Sequence, residues 1–268
     1  MLLVELIAAA AVVFLPARPA TADTPRAADP AAAPLRVGDH RDVDLIEAGG
    51  PTTAALLDRV AAAIGPAVER VEAFWGTDWS RHIVVLGTGT DAQFRAAAGG
   101  GSAEQWADVA AVAVADRVDP ARRFAAGQRV VLAPGAAAMS PAALHLVLTH
   151  ELFHYAARRD TALDAPRWLT EGVADFVARP DAPRPGRAAA AALPTDADLD
   201  AAGPQRTLAY DRAWWFARFV ADRYGPAKLR ELYLAACGAG HPDPGTAVRT
   251  VLGTDLPDLL ARWQRWLS

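Results

Sequence analysis

The sequence predicts an α+β protein, with a mixed α/β N-terminal lobe and a mostly helical C-terminal lobe. Short β-branched runs closed by Gly or Pro, such as "RHIVVLGTG" and "QRVVLAP", all fall before residue 135. From Ser140 onward, apolar residues recur at helical spacing between Pro- and Gly-marked breaks. The chain has 268 residues, 52% hydrophobic and 22% charged, so it can bury one sizeable core.

The N-terminus reads "MLLVELIAAAAVVFLPARPATADTP". Leu2 to Leu15 is apolar but too short for an ordinary membrane-spanning helix, and Ala20-Thr21-Ala22 offers a small-x-small cleavage site. Residues 1–22 therefore read as a signal peptide, with a mature start near Asp23 and a secreted or cell-envelope location. Glu5 and the lack of Lys or Arg in the first segment depart from that pattern. A buried helix or a retained membrane anchor is the alternative, and no other membrane domain is expected. Residues 23–36, rich in Ala, Pro and Asp, read as a linker to a single domain over 37–268, with lobes of about 37–139 and 140–268.

Helical spacing runs from Thr52 to Trp75 through Leu56, Val60, Ile64, Val68, Val71 and Phe74, with a bend or break expected at Gly65-Pro66. A strand follows at His82 to Leu86. "ADVAAVAVAD" is ambiguous between strand and helix, its valines favouring a strand. "QRVVLAP" is another strand, ended by Pro134. Ser140-Pro141 is an N-cap and first-turn pair that starts a helix to about Arg158. A shorter helix is expected from Pro166 through Trp168 to Val177. A Pro/Gly/Ala-rich connection over 179–205 comes next, long enough to be functional or mobile. Helices resume at Thr207–Tyr224, Ala227–Ala236 and Leu256–Leu267.

The formal charge of −4, without a basic run or an aromatic–basic stripe, gives no nucleic-acid surface. Cys237 is the single cysteine and cannot form an intrachain disulfide; its setting, "YLAACGAG", reads as a small buried residue at a helix end.

The chemistry concentrates in "HLVLTHELFHYAARRD". His150 and His154 are four apart, so on a helix they share a face and both imidazoles can reach one metal ion. Glu151 lies beside the first, where its carboxylate can reach a water on that metal without ligating it. With only 6 histidines in the chain, accidental placement rarely yields His-Glu-x-x-His. A third ligand is available in "PRWLTEGVADF": a second helix running antiparallel would return Glu171 to the metal. Trp168 and Leu169 would anchor that helix, and Gly172 would permit close approach. Asp175, four residues beyond Glu171, could orient a ligating histidine.

"HELFH" followed by "WLTEGVADF" resembles the gluzincin branch of zinc metallopeptidases, the peptidase MA-like group. The resemblance implies a zincin-like fold and Zn2+ held by His150, His154 and Glu171. Glu151 becomes the general base for peptide-bond hydrolysis by a metal-activated water, and Asp175 the partner of a histidine ligand. It also implies a tyrosine or histidine from a downstream helix to stabilise the oxyanion; Tyr210, in "LAYDRAWWFARF", is the candidate, with packing beside Trp214 as its alternative. The implied partner is a peptide or protein substrate, docked in extended form on a strand beside the metal helix, from either "RVVLAP" or "AVAVAD". The specific signal covers His150 to Asp175. No Gly-x-Met-Glu-Asn signature is present, so an endopeptidase is expected over an aminopeptidase.

Other polar residues fit structural roles. His145 lies about 140° around the helix from His150 at 100° per residue and reads as a core or surface residue. Tyr155 reads as packing or structural hydrogen bonding. His241 belongs to a loop, and His82 begins a strand. Arg158-Arg159 suits a helix C-terminus or an acidic partner. "GTGTDAQF" and "AAAGGGS" lack the order of a phosphate loop. A zinc-stabilised interaction module without turnover, and a fold that holds no metal, remain the competing readings.

Overall fold

The computed structural model describes residues 8–9, 35–179 and 192–268. Most of the expected signal peptide, the linker up to residue 34, and 180–191 of the long connection lie outside the described residues. The N-terminal half is β1 (Ala8–Ala9), β2 (Leu35–Val37), β3 (Arg41–Glu47), α1 (Pro51–Trp75), β4 (His82–Gly87), α2 (Asp91–Ala97), α3 (Ala103–Trp106), β5 (Val109–Val114), β6 (Arg117–Asp119), β7 (Phe124–Ala126) and β8 (Arg129–Leu132). The C-terminal half is helical: α4 (Pro141–Ala157), α5 (Arg167–Ala178), α6 (Asp196–Asp200), α7 (Pro204–Tyr224), α8 (Pro226–Cys237), α9 (Pro244–Leu252) and α10 (Leu256–Leu267).

The sheet runs β1-β5-β8-β4-β3-β2. β3, β4 and β8 are mutually parallel, while β2 and β5 pair antiparallel to β3 and β8. The two-residue β1 lies parallel beside β5. β6 and β7 form a separate hairpin. Leu35 and Arg36, expected at the end of the linker, belong to β2. The segment that was ambiguous between strand and helix is β5. Its residues pack on both faces of the sheet: Ala111 and Ala113 belong to the main core, whereas Val112 and Val114 join Phe94 and Trp106 on the other side. A strand buried on both faces loses the polar alternation that identifies one from sequence.

The expected break at Gly65-Pro66 does not occur: α1 is one helix of 25 residues with Pro66 inside it. Pro66 and Ala62, whose carbonyl loses its partner, both lie on the exposed side. Val60, Ile64, Val68 and Val71 on the opposite side are fully buried. An interior proline costs about 3 kcal/mol, and each such buried side chain contributes about 1.5–3 kcal/mol. The buried stripe therefore outweighs the proline.

Helix α4 begins as expected, with the Ser140 hydroxyl accepting from the Ala143 N–H. It is buried from Val147 to Ala157, packed between the sheet, α1 and α5. A helix apolar nearly all round is a core helix, so its few polar residues enter the interior with it. α5, α7, α8 and α10 fall where sequence spacing expects them, with α7 starting three residues early at Pro204. α6 lies within the connection expected to lack structure; a reciprocal capping box between Thr195 and Asp198 starts it. The short α2 and α3, and α9, were not anticipated. Cys237 is buried at the end of α8. No helix among the described residues is long and apolar enough to cross a membrane.

Candidate metal centre

α4 and α5 bring together the residues that their spacings suggest. His150 and His154 lie on one face of α4, with their Nε2 atoms 3.0 Å apart. Glu171 Oε2, from α5, is 3.2 Å from His150 Nε2 and 3.4 Å from His154 Nε2. The three candidate ligand atoms all lie within 4.8 Å of one another, and all three residues are buried. Two imidazole nitrogens and one carboxylate oxygen pointing at a common centre form a suitable donor set for a divalent transition ion.

Behind this set, His150 Nδ1 is 3.0 Å from Asp175 Oδ1. That bond places a proton on Nδ1 and leaves Nε2 to face the centre. Asp175 is held in turn by Arg179, whose guanidinium donates to Asp175 Oδ2 at 2.8 Å and to Asp211 Oδ1 at 3.1 Å. Arg179 also stacks over Trp214, 4.2 Å from the ring centre. Asp211, Arg179 and Asp175 thus form a chain of charge-assisted bonds ending on His150. Neither Arg179 nor Asp211 had a sequence signal, because the chain joins the end of α5 to the first half of α7.

Glu151 lies beside the three donors and reaches the sheet with one of its oxygens. Its Oε2 accepts the Ala113 N–H at 2.6 Å, whereas the buried Oε1 has no hydrogen-bond partner. A buried carboxylate oxygen without a partner is costly and calls for a ligand or substrate atom. Seven residues on, about two turns along the same face, the buried Arg158 donates to the Ala113 carbonyl at 2.8 Å. Both backbone groups of Ala113 are therefore held, by Glu151 of α4 and by Arg158 just past its end, which fixes β5 against the metal helix. Arg158 is a clamp on the sheet edge, not the helix-end charge suggested by its position.

Burial and neighbouring charge set the protonation states. Burial disfavours a charged His150, but the hydrogen bonds it donates to Asp175 and Glu171 outweigh that and push its pKa up to about 10. Burial pushes His154 down. Burial likewise pushes Glu151 up to about 8, the nearby His150 charge opposing. Glu171 is held well below the usual carboxylate range, because the two histidines outweigh its burial. Metal binding needs unprotonated imidazoles and an ionised carboxylate, so metal retention is expected to weaken as pH falls.

Tyr210 is buried beside this centre, with its hydroxyl pKa raised well above normal by burial and by the charge of Glu171. It also lines an adjoining cavity with Arg167 and Arg206. Gly172 permits a close approach, but to α7 and not to α4: a Cβ there would sit 2.3 Å from the Ala213 carbonyl oxygen. Tyr155 donates to the backbone carbonyls of His82 and Gln128, a structural role. His82 pairs with Asp44 across two parallel strands at 2.8 Å. His145 and His241 stand outside the donor cluster.

No protein-family model matches the chain, and no curated protein matches it. The geometry therefore stands without support from relatives.

Proposed function

We propose that the chain is a zinc-dependent peptidase of the gluzincin type, with a zincin-like fold, acting on extended peptides as an endopeptidase. The carrying observation is the buried His150–His154–Glu171 donor set with a buried, partnerless Glu151 oxygen beside it. A zinc ion held by three protein groups supplies Lewis acidity, polarising a carbonyl and lowering the pKa of water to about 7.

The chain's own residues supply the rest. Ala113 fixes one oxygen of Glu151, so the other, Oε1, is the one able to take a proton from the attacking water and pass it to the leaving amine. Asp175, held by Arg179, fixes the tautomer and orientation of His150. Tyr210, kept protonated by its surroundings, can donate to the developing oxyanion. Among the five longer strands of the sheet, β5 has no partner of comparable length beyond its outer edge, and it is the strand clamped to the metal helix. We propose it for backbone pairing with substrate, in preference to the interior β8, along the Val109–Ala111 edge where β1 now lies, because Ala113 is already held by Glu151 and Arg158. Export to the cell envelope or beyond is part of the same proposal and rests on residues 1–22 alone.

The test is a zinc-loaded preparation offered a mixed peptide library, with products read by mass spectrometry. Cleavage by the wild type, reduced about 10²–10⁴-fold in Glu151→Gln at equal zinc content, is the expected result. Equal turnover in Glu151→Gln would remove Glu151 as the base.

A further inference from the structure

Beside the metal centre lies a cavity of about 440 Å³ between the start of β5 and the α6–α7 region. Two routes lead from it to the metal. Arg167, on its wall, sits one turn before Glu171 on the same face of α5. Val109, also on its wall, sits four residues before Ala113 on β5. Tyr210 borders the cavity as well, and the charges of Glu171, Glu151 and Arg167 all reach its hydroxyl. Arg167 and Tyr210 thus place the cavity next to the donor cluster.

Its chemistry is set by arginine. Arg206 is 7% exposed. Its Nε donates to the Ala201 carbonyl, and its two terminal nitrogens show no hydrogen bond among the described residues. Arg167 pairs with Asp200 at 3.0 Å, while its buried Nε has no partner. Two acidic side chains also line the cavity: Asp200, committed to Arg167, and the exposed Glu104, which forms no ion pair with either arginine among the described residues. Arg206 also lies in the first turn of the 21-residue helix α7, whose N-terminus has no side-chain cap. A buried guanidinium fork without an acidic partner is suited to bidentate recognition of a carboxylate.

We infer that this cavity binds a carboxylate of the peptide substrate, with Arg206 as the principal contact and Arg167 supporting it. This deepens the peptidase reading and rests on it. The position limits which carboxylate fits. Four helical residues from Arg167 to Glu171 span about 6 Å, and four strand residues from Val109 to Ala113 about 13 Å. At about 3.4 Å per extended residue, the carboxylate lies about two to four residues from the scissile bond. It belongs either to an acidic side chain or to the substrate's C-terminus.

The experiment is calorimetric titration of the zinc-loaded Glu151→Gln chain, which holds peptide without consuming it. Four Ala-rich peptides of equal length are compared: one with a free C-terminal carboxylate, one amidated, one amidated with an internal Glu, and one amidated with Gln at that place. At least one carboxylate peptide should bind about tenfold more tightly than its uncharged counterpart, and which one does identifies the source. Arg206→Gln should abolish the difference, and Arg206→Lys should retain part of it. If Arg206→Gln fails to fold, Arg167→Gln serves as the second variant, and the four-peptide comparison still decides. Equal binding of all four peptides overturns the inference while leaving a peptide-binding cleft. A preference that survives Arg206→Gln overturns the assignment to Arg206. No binding by any of the four overturns the inference if the wild type cleaves the mixed library, and overturns the peptidase reading as well if it does not.

Discussion

The metal centre and the adjoining cleft lie side by side, yet they are built in different ways. The centre draws its donors from two helices, with both histidines on one of them. The cleft draws Val109 from a strand, Arg167 from the start of α5, and Arg206 and Tyr210 from α7. The centre is closed by hydrogen bonds through Asp175, Arg179 and Asp211, leaving Glu151 Oε1 as its unsatisfied oxygen. The cleft leaves the buried Arg167 Nε without a partner, and the Arg206 terminal nitrogens show no hydrogen bond among the described residues. We propose that in each case the group without a partner is the one offered to substrate. Under the proposed function the first region performs chemistry and the second recognition, a division that can be broken in three places.

The largest effect is expected at the boundary, where Tyr210 touches both regions. Tyr210→Phe should lower kcat by about 10²-fold if the hydroxyl serves the oxyanion, with a smaller change in KM. A change confined to KM would move Tyr210 to the recognition side. Next comes the support of the metal. Asp175→Ala should weaken zinc retention about 10–100-fold in a competitive chelator titration, and Arg179→Met should act in the same direction. Unchanged zinc affinity in both would reduce the Asp211–Arg179–Asp175 chain to packing. The smallest effect is structural. Gly172→Ala should destabilise the fold by about 1–3 kcal/mol in thermal or denaturant unfolding, because its Cβ would meet the α7 backbone. An unaffected melting temperature would show that α5 and α7 can separate without cost.

The same contrast explains what the sequence disclosed. His150, Glu151 and His154 are legible because a helix turns a four-residue spacing into a shared face. Glu171 follows once α5 is read as an antiparallel return. Nothing local announces Arg206 as a neighbour of Val109, or Arg158 as a clamp on Ala113, because those contacts join elements far apart in the chain. The strands show a similar limit. β4 alternates between buried and partly exposed positions and reads clearly. β5 is buried on both faces and does not. The continuous α1 was misread because a proline signal is local, whereas the buried stripe that overrides it is tertiary. α6 was missed because its five residues carry a capping box but no apolar period.

The central claim is that His150, His154 and Glu171 hold one metal ion. The most direct measurement is metal content by elemental mass analysis, on protein purified without a histidine tag or added metal and again after zinc reconstitution. The account predicts about one zinc per chain, lost in a folded His150→Ala/His154→Ala variant. A folded wild-type protein that takes up no zinc after reconstitution, or that keeps it in the double variant, would contradict it.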